Sequence, residues 1–380
     1  MIVIVLAFHS SLAYLASLPA SAYRFDSPPY LWQAIPIIDH QRWFGLDLFC
    51  AWQDVSLMST MFFLSGLFVP SSLARKGSWK FLSDRFVRIG APFVLVVMLL
   101  MPLAYYPAYR VTASDPSVAA YWQSWLALPF WPSGPQWFLW QLLVLNVLAG
   151  AMHRFSPGWC DRLGRLAEAM RDQPVRFFLI LSGTSVLAYV PLALVFSPWE
   201  WTHGGLFSFQ LSRPLHYLVY FFAGFAIGAR PLDRGLLACD GPLARRWRFW
   251  LLASLIGFGL WAAPTSATLD DPNAPLSLEL AAGFGYVLAC ASGCYALLAI
   301  CLRFASEWSR ALDSLSANAY GMYLVHYVFV VWMQFALMDA TLFAVGKATI
   351  VFAFALALSW TLSAAAGGAS FGVRLAGARR

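Results

Sequence analysis

Apolar runs of about twenty residues recur along the chain with short loops between them, and this repetition constrains the fold more than any motif does. Such a run matches the hydrocarbon thickness of a bilayer, where a helix satisfies every backbone amide within its own segment. With 60% of residues hydrophobic and 11% charged, the chain holds more apolar surface than a soluble core of 380 residues encloses. The expected fold is all-α, a polytopic integral membrane bundle of about ten transmembrane helices making one domain over 1–380. The spans are read over 1–18, 47–70, 90–108, 136–152, 177–196, 214–229, 249–263, 278–302, 317–337 and 346–366.

Basic residues orient the bundle. Loops 71–89, 153–176, 230–248 and 303–316, with the tail 367–380, hold 20 of the 25 Lys and Arg, whereas the alternating loops hold 4. That alternation places the first set, and both termini, in the cytoplasm. The net charge of +7 is scattered over these loops instead of gathered on one domain, which argues against nucleic acid and leaves the lipid bilayer as the partner. Many of the 18 Trp and 15 Tyr fall near span ends, as headgroup anchors do. Trp122, Trp125 and Trp131 in the outer loop 109–135 are read mainly as such anchors, with stacking on sugar rings as the other use of an exposed aromatic. The first span begins apolar at Met1, has no charged leader and is interrupted by His9, unlike a signal peptide. The chain therefore either starts late or lacks an upstream start. No disulfide framework is implied; Cys290 and Cys294 read as small packing residues beside a stripe of Ala281, Gly285, Ala289 and Gly293 that admits a neighbouring helix.

Polar groups are costly in lipid, so histidines within spans are the first candidates for chemistry. His9 lies about 12 Å along its helix at ~1.5 Å per residue. An imidazole accepts a proton from a hydroxyl near neutral pH, which suits a general base in acyl transfer; the structural alternative is a neutral histidine bonded to Ser10, Tyr14 or a backbone carbonyl. His326 shares a helical face with Asn318, Met322 and Tyr323, where an interhelical hydrogen bond is the favoured reading. His216, at the outer start of its span, faces substrate or headgroups. No two of these histidines share a helix and no acidic partner is near, so no metal is expected. The chain has neither a Gly-x-Ser-x-Gly elbow nor a P-loop, which disfavours a serine enzyme and an ATP-driven pump. Arg85 and Arg88 stand three residues apart at the cytoplasmic mouth of the third span. Paired guanidinium forks ahead of a helix N-terminus hold phosphate; alternatively the two, with Arg75, Lys76 and Lys80, are positive-inside anchors.

Five short motifs then fall in order. They are Phe8-His9 followed by Ser-Ser-Leu-Ala-Tyr, Met61-Phe62-Phe63-Leu64-Ser65-Gly66, Arg85-x-x-Arg88 leading into Ala91-Pro92-Phe93, Gln136-Trp137-Phe138-Leu139, and Ala319-Tyr320-Gly321-Met322-Tyr323-Leu324-Val325-His326. In this register the chain resembles the membrane acyltransferase-3 family over nearly its whole length, and within it the branch of the periplasmic glucan succinyltransferase. It departs from the family in lacking a short Arg- and Asp-containing segment before the first helix.

The resemblance implies a multi-pass inner-membrane enzyme that transfers an acyl group, acetyl or succinyl, from cytoplasmic acyl-coenzyme A to a hydroxyl of a cell-envelope glycan or similar acceptor. It assigns His9 to catalysis, and Arg85 and Arg88 to the acyl donor or the catalytic site; acyl-coenzyme A is a substrate, and no permanently bound cofactor is expected. Ser65, Gly66, Trp137, Tyr323 and His326 are the supporting or path-lining candidates, with Phe62, Ser65 and Gly66 letting the second helix approach the first. The competing reading is a transporter or flippase exporting a glycan or small metabolite, but the intramembrane acids expected of an ion-coupled carrier are few.

Overall fold

The computed structural model of the protein describes residues 1–232, 235–269, 271, 273–305 and 309–377, without the side chains of 368–377. Arg234, Arg379 and Arg380, of the set that the loop charges would place in the cytoplasm, lie outside the described residues. In chain order the helices are α1 (Ile2–Ser11), α2 (Phe44–Leu67), α3 (Val69–Arg85), α4 (Ala91–Thr112), α5 (Val118–Leu126), α6 (Trp137–Phe155) and α7 (Gly158–Glu168). They continue as α8 (Pro174–Val195), α9 (Pro214–Gly228), α10 (Pro242–Arg245), α11 (Trp247–Thr268), α12 (Leu276–Phe304), α13 (Arg310–Ala336) and α14 (Ala344–Gly377). A two-stranded antiparallel hairpin, β1 (Thr202–Gly204) and β2 (Phe207–Phe209), interrupts the helical pattern between α8 and α9.

Each apolar segment expected from the sequence is helical, yet among the described residues 7 helices are long and apolar enough to cross a membrane by themselves. The shortfall from ten lies in three segments. The apolar helices Ile2–Tyr14 and Pro214–Gly228 are short, and α2, although 24 residues long, carries Asp47, Gln53, Asp54 and a run of hydroxyl residues.

Polar contacts gather the alternating loops at one end. The Trp131 amide donates to the Gly205 carbonyl, His203 stacks on Phe130 at 4.4 Å, and the buried Lys347 ammonium pairs with Asp39 at 2.8 Å. The basic loops meet at the other end, where Gly164 packs on Arg230 and Gly150 on Leu82.

Two apolar cores result. One collects α1, α2, α4, α6, α13 and α14; the other is built from α8, α11 and α12. Between them α2 and α9 run against each other backbone to backbone. A Cβ added at Gly66 would overlap the Phe221 carbonyl oxygen, and one at Gly224 or Gly228 would overlap the carbonyl of Phe63 or Leu67. Lipid provides no hydrophobic drive for helices to meet, so close backbone packing of this kind supplies the attraction. Gly66 therefore brings α2 to α9, not to α1 as the sequence suggested. The small-residue stripe of α12 does admit neighbours: Gly285 faces Leu260 and Trp261 of α11, and Gly293 faces Ser56 of α2.

The outer aromatic residues also depart from the anchor reading. Trp125 is 1% exposed and the Trp131 indole donates to the Val97 carbonyl, whereas Trp122 stays exposed. An outer segment that packs its rings inward forms a cap over the first core instead of a belt at headgroup level.

Candidate active site

The first core is arranged around α1. Like any helix, α1 leaves its last carbonyls without full helical partners, and the buried Gln334 amide of α13 donates to the His9 carbonyl at 2.9 Å, which also accepts from the Leu12 amide, and to the Ser10 carbonyl at 3.5 Å. With α1 held there, the His9 ring meets α13: its centroid lies 5.2 Å from that of His326 and 5.4 Å from that of Tyr327. His9 is half-buried, whereas His326 behind it is fully buried.

Hydrogen bonding sets the tautomer of both rings. Nδ1 of His9 is 2.9 Å from the Val5 carbonyl, and Nδ1 of His326 is 2.8 Å from the Tyr323 carbonyl. A carbonyl only accepts, so each Nδ1 carries the proton and donates it, which leaves a lone pair on each Nε2. Nε2 of His326 is buried without a hydrogen-bond partner, and Nε2 of His9 hydrogen-bonds to no described residue. The arrangement is two neutral bases whose working nitrogens are idle. The backbone-bonded alternative for His9 thus holds for one nitrogen only. The interhelical hydrogen bond expected of His326 gives way to a bond within its own helix and a ring contact across to His9.

Aromatic rings carry this centre to the outer cap. Phe25 stacks on Trp32 at 4.3 Å, Trp32 meets Tyr105 at 5.1 Å, and Tyr105 meets Tyr327 at 5.7 Å. The Tyr105 hydroxyl donates to the Gln33 carbonyl at 2.7 Å, tying the segment before α2 into the same wall. The turn ahead of α6 closes another side. Tyr323 donates its hydroxyl to the Pro135 carbonyl, and Gln136 donates its amide to the Leu324 carbonyl at 3.4 Å. Gly134 has φ +50°, and a Cβ there would sit 2.8 Å from the Met101 sulfur, so the turn fits against the wall only with glycine. The buried oxygens of Ser10, next to His9 in the chain, and of Ser133 and Gln136 (Oε1), in the turn ahead of α6, also lack partners.

At the basic end, Phe86–Gly90 forms a π turn between α3 and α4. Each residue of a π turn advances less around the axis than in an α-helix, so the three-residue spacing no longer puts Arg85 and Arg88 on one face. Arg85 is half-buried with its guanidinium 5.0 Å from the Phe81 ring centre, while Arg88 is exposed. Lys76 pairs with Asp84, the residue before Arg85. The Arg88 carbonyl accepts from Tyr320 of α13 at 2.5 Å. Tyr320 precedes His326 by six residues, about 9 Å along the helix. One rigid element thus spans from the arginine segment to the histidine pair.

Of the supporting candidates, His326 comes to His9, and Tyr323 meets His326 instead, with the ring centroids 5.8 Å apart. Ser65 turns its hydroxyl onto the Met61 carbonyl at 2.8 Å, Gly66 opposes α9, and Trp137 lies 5.8 Å from the Tyr217 ring and 5.6 Å from Trp201. Among the described residues no hydrogen bond or ring contact joins these three to His9. Sequence reasoning missed Tyr105, Tyr327 and Gln334; a glutamine inside an apolar span was the available signal for the last. His216 faces neither substrate nor headgroups. It is fully buried in the second core, with Nδ1 3.0 Å from the Ser185 hydroxyl and Nε2 3.3 Å from the Cys290 sulfur.

A multi-pass α-helical membrane protein with a two-histidine centre under an aromatic cap is the class that this fold and site define. The acyltransferase-3 family, described as an acyltransferase domain, matches residues 1–364, and the chain belongs to that family. No curated protein and no solved structure matches it.

Proposed function

We propose that the protein moves an acetyl or succinyl group from cytoplasmic acyl-coenzyme A to a hydroxyl of a cell-envelope glycan or similar acceptor, across a bacterial-type inner membrane, in the manner of the glucan succinyltransferase branch. All ten apolar segments cross the bilayer in this reading, with both termini in the cytoplasm, as the loop charges indicate. The observation that carries the proposal is the idle Nε2 of His9, half-buried and backed by His326, in a chain of the acyltransferase family.

The acceptor hydroxyl donates to His9 Nε2 and its oxygen attacks the thioester carbonyl carbon. His9 takes the hydroxyl proton as the C–O bond forms; the C–S bond then breaks and the same proton passes to the departing thiolate, giving an ester and free coenzyme A. His326 does not touch the reacting atoms; it positions the His9 ring from behind. Arg85 and Arg88, near the Lys76–Asp84 pair in the chain, give the donor's phosphates charged contacts at the basic end. The pantetheine arm then runs along α13 from the level of Tyr320 to that of His326.

Transfer from radiolabelled acetyl- and succinyl-coenzyme A into envelope glycans, measured in membrane vesicles with and without the protein, tests the reading. Acylated glycan that depends on the protein and on His9 supports it. Full acylation by His9→Ala at equal protein level sinks it.

A further inference from the structure

A cavity of about 520 Å³ opens at the outer end of the second core, between α8, α11, α12 and the start of α9, with α2 and α9 separating it from the histidine pair. Its size lies within the roughly 300–1,000 Å³ of small-molecule sites. Three buried polar atoms on its lining have no partner: Nε of Arg213, the Thr265 hydroxyl and the Tyr286 hydroxyl. The Arg213 side chain is 4% exposed, so the unused N–H is a costly feature that a ligand would relieve. Trp199, 44% exposed, and the carboxylate of the exposed Glu279 stand on the same lining toward the loops.

The charges decide what fits. Arg213 is already neutralised by Asp54, with its two nitrogens 2.9 and 3.4 Å from the carboxylate oxygens, and Asp271 and Glu279 add negative charge to the wall. An anion is therefore disfavoured. A cation without acceptor atoms is disfavoured too, because it would leave the donor-only Nε of Arg213 unmet and would lie beside a guanidinium that already sits 5.3 Å from the Tyr286 ring centre. What remains is a neutral molecule rich in hydroxyls, which accepts from Arg213, Thr265 and Tyr286, donates to Glu279, and lays an apolar ring face on Trp199.

We propose that this cavity binds a neutral sugar unit, separately from the histidine pair. The proposal stands on the cavity alone and does not require acyl transfer. Maltotriose, cellotriose and chitotriose are offered to the full chain in nanodiscs and followed by saturation-transfer NMR, with ethanolamine and inorganic phosphate as the charged probes. Saturable binding of at least one neutral trisaccharide is expected, weakened about tenfold in W199A and in E279Q and unchanged in H9A. Three results overturn it: no saturable binding of any of the sugars, sugar binding indifferent to both W199A and E279Q, or saturable binding of ethanolamine or phosphate alone. An H9A protein that loses acyl transfer but still binds sugar separates this proposal from the one above.

Discussion

The two cores each bury an imidazole, and they treat it in opposite ways. In the second core, His216 has both ring nitrogens occupied, by the Ser185 hydroxyl and the Cys290 thiol, and no surface left for a reactant. In the first, His9 and His326 each spend Nδ1 on a backbone carbonyl and keep Nε2 idle, and His9 retains some exposure. Burial alone therefore does not mark a functional histidine in a membrane. The mark is an unspent nitrogen that something outside can reach, because leaving it unspent costs stability that a structural residue would recover.

Substitutions sharpen this contrast. The largest effect on acyl transfer is expected from His9→Ala, about 100- to 10,000-fold, as for loss of a general base, with the protein still folded in the membrane. Comparable rates in the two proteins, measured as labelled acyl group transferred per mole, would remove His9 from the chemistry. His326→Ala comes next, with kcat about ten- to a hundredfold lower and donor KM unchanged, because it positions His9 and touches no substrate. A rise in KM with kcat intact would make it a binding residue instead. Arg88→Lys keeps charge and loses the fork, so donor KM is expected to rise about tenfold, read from the acyl-coenzyme A dependence of initial rates. An unchanged KM returns Arg88 to the role of anchor. The smallest effect on turnover belongs to His216→Ala, which lowers stability by about 1–3 kcal/mol by orphaning the Ser185 hydroxyl, yet leaves transfer per folded molecule unaltered. Thermal unfolding in micelles, paired with the rate assay, checks this; a selective rate loss would erase the distinction between the cores.

The helical segments were legible in the sequence because a membrane span is a local property, set by about twenty neighbouring side chains. His9 was legible for a related reason, as a titratable group where such groups are expensive. Its pairing with His326 was not, since the contact joins the first helix to the thirteenth and no local pattern encodes it. The three-residue spacing of Arg85 and Arg88 misled because it assumes 3.6 residues per turn, and the intervening π turn breaks that assumption. Gly66 was rightly read as a site of close approach, but a single glycine names no neighbour; only Gly224 and Gly228, facing the Phe63 and Leu67 carbonyls, identify α9 as the helix it meets. Trp125 and Trp131 were misread because position near a span end does not say whether a ring turns to lipid or folds inward.

Where three glycines fit against three carbonyl oxygens, neither helix can creep along the other without a Cα or a side chain colliding with a peptide group. The seam formed by α2 and α9 is thus a fixed keel, able to tip as one body but not to shear. The cavity on one flank and the histidine pair on the other are therefore parted by a rail of peptide groups locked at three points.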